Sequence, residues 1–230
     1  MITIHIAGMN IGIDSQYDLF PWLCGWLAHG APDFTVRVSP EELVREDEGR
    51  GLSPAYLEFI CAYRHIAERL ADFDAFVFHS AALYVRERAY LFAAPSGTGK
   101  TTHASKWLET VPGAKFLNGD KPILRRTDEG FLACGTPWRG KERYGTSRCL
   151  PIQGICLLRR GEKDRILRAE PAACVGLLSR QVYLPEDPAR FEKTLDLMDE
   201  CFRSVPLWSM ECTLDPGSAL VSWEAMRPRA

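Results

Sequence analysis

The chain has little that would place it in a membrane, on nucleic acid or in a disulfide-stapled scaffold. Among its 230 residues no apolar run approaches the roughly 18 needed to cross a bilayer. Its start, Met-Ile-Thr-Ile-His-Ile, alternates instead of joining a basic end to an apolar block, so no signal peptide is expected. Net charge is only −2, which leaves no electrostatic footprint for nucleic acid or an anionic membrane surface. Eight cysteines are present, but none forms a Cys-x-x-Cys pair and the chain is too large to need staples. Most sit in apolar stretches such as Ile155-Cys156-Leu157, so buried free thiols in a reducing cytoplasm are expected, with no metal or disulfide role. There is no internal repeat, low-complexity tract or linker, so residues 1–230 read as a single domain.

What the chain does have is a glycine-rich turn in a specific setting. Ala89-Tyr90-Leu91-Phe92-Ala93 is an apolar run of strand length, and Thr102 to Glu109, free of Gly and Pro, reads as a helix. Between them stands Ala94-Pro95-Ser96-Gly97-Thr98-Gly99-Lys100-Thr101-Thr102. Strand, Gly-rich turn, Gly-Lys-Thr, helix is the context in which a phosphate-loop string acquires a mechanism. Gly97 and Gly99 let successive N–H groups converge on one anion, and the helix N-terminus adds partial positive charge. Ser96 to Thr102 would cradle the phosphates, Lys100 would reach the outer ones, and the Thr101 hydroxyl would take a Mg²⁺ bridging them. The first position of the string is Ala94 instead of the usual Gly, which fits if that residue keeps negative φ.

Such a loop needs a carboxylate partner at the end of a neighbouring strand, to hold Mg²⁺ or take a proton. Asp120 is the candidate, lying just past the short strand Ala114–Leu117; a turn aspartate in Asn-Gly-Asp is the plainer alternative. His79 ends the strand before the loop hairpin and, from spacing alone, reads as structural. Arg139 and Lys141 stand among Gly and Pro on a loop, where a base could reach a phosphate or an acidic acceptor. His103 and Trp107, one helical turn apart, are expected to pack.

Taken in order, residues 2–6 and 11–13 suggest two strands around Gly8 and Asn10, with a short helix after Pro21 and a third strand over 34–38. Glu41 to Arg50 reads as an exposed loop, and Ser53-Pro54 opens a helix reaching about Phe73. Residues 75–78 form a strand that 81–85 continues or pairs with. Ile123-Leu124 and Phe131 to Cys134 flank a hairpin turn, and Ile152–Leu158 is the next strand. Helices near 172–180, 188–203 and 218–226, with a strand near 207–212, complete an α/β chain with a mixed central sheet and flanking helices.

These residues carry a resemblance. Phe78-His79 before a hairpin, Ser96-Gly97-Thr98-Gly99-Lys100-Thr101, and the acidic strand end at Asp120 resemble the C-terminal kinase domain of HPr kinase/phosphorylase, over roughly residues 75–160. That domain belongs with phosphoenolpyruvate carboxykinase-like nucleotide folds. Thr102 to Trp107, Asn118 to Pro122 and Gly135 to Lys141 are closer still to a group of short bacterial HPr-kinase-like proteins, over most of the chain. The resemblance implies a phosphate-loop core over 75–230 with added N-terminal strands in 1–74, with ATP and Mg²⁺ as cofactors. It implies phosphoryl transfer to a hydroxyl of a peptide or protein serine or of a small molecule. It also makes His79 and Asp120 active-site residues, Thr101 and Asp120 metal ligands, and Lys100, Arg139 and Lys141 stabilisers of transferred charge. Two positions depart from the pattern: relatives carry an acidic pair where this chain has Gly119-Asp120, and Gly where it has Ser80. A nucleotide-sensing module without turnover is the alternative that Gly119 favours. A carboxykinase acting on oxaloacetate lacks the second metal cluster it would need.

Overall fold

The alternating isoleucines near the start fold as a hairpin in a computed structural model of the chain, which describes residues 1–95 and 97–228. β1 (Ile2–Ile6) and β2 (Met9–Ile13) pair antiparallel, Ile4 opposite Ile11 and Ile6 opposite Met9, and all four side chains are buried. Positive φ at both Ala7 and Gly8 gives the two-residue turn the twist its flanking strands require. α1 (Phe20–Leu23), opened by Pro21, runs into one 3-10 turn, and β3 (Phe34–Val36) then joins β2 in parallel.

The stretch expected to be an exposed loop is instead a helix, α2 (Pro40–Asp47). The Ser39 hydroxyl accepts the Glu42 N–H while the Glu42 carboxylate accepts the Ser39 N–H, and Pro40 sits in the first turn. Such a cap stabilises a helix by about 1 kcal/mol. Leu43 is buried, and the charges are the helix's solvated face. α3 (Pro54–Arg69) starts at Ser53, whose hydroxyl accepts the Tyr56 N–H, and buries Leu57, Phe59, Cys61 and Ile66 against the N-terminal sheet.

A nine-stranded mixed sheet makes up the rest of the chain's β structure. Its strands are β4 (Ala75–Val77), β5 (Ala81–Val85), β6 (Arg88–Ala93), β7 (Lys115–Asn118), β8 (Ile123–Thr127), β9 (Gly130–Cys134), β10 (Cys149–Arg160), β11 (Arg165–Arg168) and β12 (Leu207–Cys212). α4 (Lys100–Thr110), α5 (Pro171–Leu178), α6 (Pro188–Ser204) and α7 (Ser218–Met226) flank it. β10 organises this sheet: its first residues pair antiparallel with β9, its middle runs parallel to β6, and its end runs parallel to β12. Each face of the sheet has its own apolar core, one with α5 and α6 and one with α4 and α7.

Two further expectations are corrected. β5 pairs with β6 and β7, not with β4, because positive φ at Arg86 closes a tight turn straight into β6. Cys134 and Cys149 stand opposite each other across β9 and β10, Cα atoms 4.0 Å apart, and are joined by a disulfide. The reading of all eight cysteines as free thiols is therefore overturned, since strand register brings together two residues that spacing keeps 15 apart. Cys61, Cys156, Cys174 and Cys201 are buried free thiols, whereas Cys24 is exposed. No described helix is long and apolar enough to cross a membrane.

Candidate active site

Strand directions bring the sequence motifs to one edge of the sheet. β10 is parallel to β6, and β5 is antiparallel to both β6 and β7, so β6, β7 and β10 all end on the same side. Ligands of α/β sheets gather outside such ends. The glycine turn follows β6, Asp120 follows β7, Arg160 ends β10, and His79 precedes β5.

In the turn, Gly97 has φ +75° and Gly99 φ +114°, and nothing lies within 4 Å of the position a Cβ would occupy at either. Conformation, not crowding, is what demands glycine here. Ser96 lies outside the described residues. α4 begins at Lys100 with Gly99 as its N-cap, and among the described residues no side chain caps its first N–H groups. They therefore face the turn with the helix's partial positive charge. Lys100 Nζ donates to the Ala94 carbonyl at 2.8 Å, spanning the turn. Burial pulls the Lys100 ammonium below its ordinary value, with the Asp120 carboxylate pulling the other way. Thr98 and Thr101 are partly buried and Thr102 is exposed on the first turn of α4.

Arg160 is a site residue that sequence reasoning missed. Its Nη2 donates to the Gly97 carbonyl at 2.6 Å and its Nε to the Thr98 carbonyl at 3.3 Å, clamping the turn from the neighbouring strand. Only the register shows this, Leu157 of β10 lying opposite Ala93 of β6.

Asp120 is held by the buried Asn118, a site residue that its place in the Asn118–Pro122 string does not reveal. The Asn118 Oδ1 accepts the N–H groups of Asp120 at 2.9 Å and Lys121 at 2.7 Å, and its Nδ2 donates to the carbonyl and hydroxyl of Thr136. The Ser80 N–H donates to the Asp120 carbonyl at 3.0 Å, which ties the His79 segment alongside. His79 Nε2 then lies 3.0 Å from Asp120 Oδ1, and Lys121 Nζ 3.3 Å from Oδ2. Burial alone would raise the Asp120 carboxyl, but the hydrogen bond from His79 and the Lys121 ammonium outweigh it and hold the group below its ordinary value.

The loop of residues 135–148 crosses directly over Gly119. Gly119 donates to the Tyr144 carbonyl at 2.9 Å, and Thr146 to the Leu117 carbonyl at 3.0 Å. Two indoles fasten the same loop to the N-terminal elements, Trp26 donating to the Gly135 carbonyl and Trp138 to the Phe59 carbonyl. Arg139 and Lys141 line a cavity of about 510 Å³ together with Asp120. The Arg139 guanidinium lies 4.9 Å over the Trp26 ring. A second cavity, of about 280 Å³, opens on the α4 side of the glycine turn between Thr102, Lys106 and Arg160.

His103 and Trp107 pack, as expected. Trp107 Nε1 donates to Ser222 Oγ, which itself donates to the Ala219 carbonyl. With its proton so used, Ser222 accepts from His103 Nε2, 3.0 Å away, and Ser218 donates to Nδ1. Both ring nitrogens are satisfied by a neutral imidazole, and burial pushes its pKa down to about 4.

No family model and no curated protein matches the chain. Among solved structures, the Hpr(Ser) kinase/phosphatase from Coxiella burnetii is similar over 53% of this chain and 86% of its own, at 13% identity and a TM-score of 0.31. Likeness at that level carries no weight for function.

Among the described residues no three His, Cys, Asp or Glu side chains gather into a metal cage. A Mg²⁺ carried on a triphosphate does not need one, because it keeps most of its water and phosphate oxygens. The Thr101 hydroxyl and the Asp120 carboxylate are oxygen donors of the kind it takes, and a carboxylate has about four lone-pair sites, more than its contacts with His79 and Lys121 use.

Proposed function

We propose that the chain is an ATP- and Mg²⁺-dependent phosphotransferase acting on a hydroxyl group. In this reading residues 75–230 are a phosphoenolpyruvate carboxykinase-like phosphate-loop core, and residues 1–74 elaborate the same domain. The observation that carries it is the meeting of an uncapped helix N-terminus, Lys100 and the Asp120–His79 pair at one sheet edge. The triphosphate lies in the turn around Gly97 and Gly99 under the amides and Lys100, and the nucleoside extends into the cavity beside Thr102 and Lys106. Thr101 and Asp120 would hold a Mg²⁺ arriving with the nucleotide, which would supply neutralisation of phosphate charge. The acceptor hydroxyl oxygen bonds to the terminal phosphorus as the bond to the bridging oxygen breaks, the electron pair leaving on ADP. Asp120, oriented by His79, takes the hydroxyl proton.

A nucleotide sensor without turnover is the second reading, favoured by Gly119, which leaves Asp120 without the second acid of the pair that the resemblance predicts. Mass analysis of products after incubation with Mg-ATP and candidate acceptors separates the two. Lys100→Ala, folded by circular dichroism, is expected to lose transfer entirely. A fully active Lys100→Ala protein would contradict both readings.

A further inference from the structure

The cavity beside Asp120 has a chemistry of its own. Its lining includes Lys121, Arg139, Lys141 and Arg143, against a single carboxylate, Asp120. Asp120 is already engaged by His79 and Lys121. Arg139, Lys141 and Arg143 have no ion-pair partner among the described residues, and Glu142, the one acid in their loop, is not part of the lining. Arg139 is the most exacting of them: its Nε is fully buried and has no hydrogen-bond partner among the described residues. Burial and the nearby Arg143 charge both work against its guanidinium. A buried charged donor left unpaired is costly, and like-signed charges crowded on one loop are relieved when an anion binds among them.

The rest of the lining is largely aromatic. Trp22 stacks on Phe59 with ring centroids 5.4 Å apart, and Phe59 on Trp138 at 5.5 Å. Tyr56 tilts against Trp22 and keeps an exposed edge. These rings largely cover one another, with Phe59 between Trp22 and Trp138, and of the four only Trp22 and Tyr56 keep surface on which an apolar body can pack. The volume, about 510 Å³, falls within the range of small-molecule sites.

We propose that this cavity binds the phosphoryl acceptor, and that the acceptor is a small hydroxy compound bearing a carboxylate or phosphate beside an apolar or ring-shaped body. The anion sits against Arg139 and Arg143, the apolar body lies on the Trp22 and Tyr56 side, and a hydroxyl is presented to Asp120. The assignment rests on the nucleotide reading above.

Three matched probes test it: glucose, glucuronate and glucose 6-phosphate, each titrated with and without Mg-ATP while the unfolding midpoint and ADP release are followed. Both anions are expected to bind at least tenfold more tightly than glucose, with Mg-ATP present. Arg143→Ala, at an exposed position, is expected to remove that preference while the Mg-ATP shift persists. Equal binding of all three, no binding of either anion, or phosphorylation confined to serine peptides would overturn the proposal. Anion binding that Mg-ATP abolishes would overturn it too, because the anion would then be occupying the phosphate turn. Absence of any Mg-ATP shift in the unaltered protein would instead sink the nucleotide reading, whatever the anions do.

Discussion

A Cβ at Gly119 would stand 2.6 Å from the carbonyl oxygen of Arg139. That contact explains why the residue before Asp120 carries no side chain: the loop bearing Arg139, Lys141 and Arg143 lies on the backbone there. The missing acid and the basic loop are one feature seen from two sides. Gly119→Asp is therefore expected to destabilise the fold by about 1–3 kcal/mol, the usual cost of overpacking. Urea unfolding reads the change, and the variant should gain no phosphotransfer. A stable, newly active Gly119→Asp protein would show that the loop moves aside readily.

Removing His79 should act through Asp120. His79→Ala deletes the hydrogen bond that helps hold the carboxyl below its ordinary value, so that value rises. In the unaltered protein Asp120 stabilises the fold above the unfolded-state pKa, near 3.9, and loses that contribution as pH falls through the lower folded value. The acid limb of any phosphotransfer profile should move to higher pH in His79→Ala. An unmoved limb would separate His79 from Asp120 in function.

His103 predicts a second pH effect, of opposite origin. Its native pKa of about 4 lies below the ordinary 6.5, so the unfolded chain takes up the proton first. Stability should fall as pH drops from about 6.5 to about 4, by roughly 3 kcal/mol at most, and then level off for this group. His103→Gln should flatten that part of the curve in urea titrations; an unchanged slope would contradict the buried neutral assignment.

Cys134 and Cys149 close the base of the basic loop. Alkylation of the unfolded, unreduced chain should label the six free cysteines, and prior reduction should raise the count to all eight. Intact mass reads both numbers. Eight labels without reduction would mean the pair is open in solution.

Much of this was legible in the sequence because the signals were local. The strand, Gly97, Gly99 and the helix from Lys100 announce their own conformations, as does Ser53-Pro54 before α3. α2 carried an equally local signal in Ser39-Pro40-Glu41-Glu42, which the density of charge over 41–50 obscured. β11 is short, with one partly buried residue among four, and has no periodicity to find. Arg160, the disulfide and the crossing over Gly119 depend on which strands lie side by side, and no spacing within the chain encodes that.

Thermal unfolding with and without Mg-ATP shows whether the turn around Gly97 and Gly99 holds a nucleoside triphosphate. Ligand at a hundredfold above its dissociation constant adds about 2.7 kcal/mol. For a chain of this length that raises the midpoint by roughly 5–10 °C. That shift in the unaltered protein, and its loss in Lys100→Ala, is the predicted result. No shift with Mg-ATP or any other nucleoside triphosphate would contradict the account at its root.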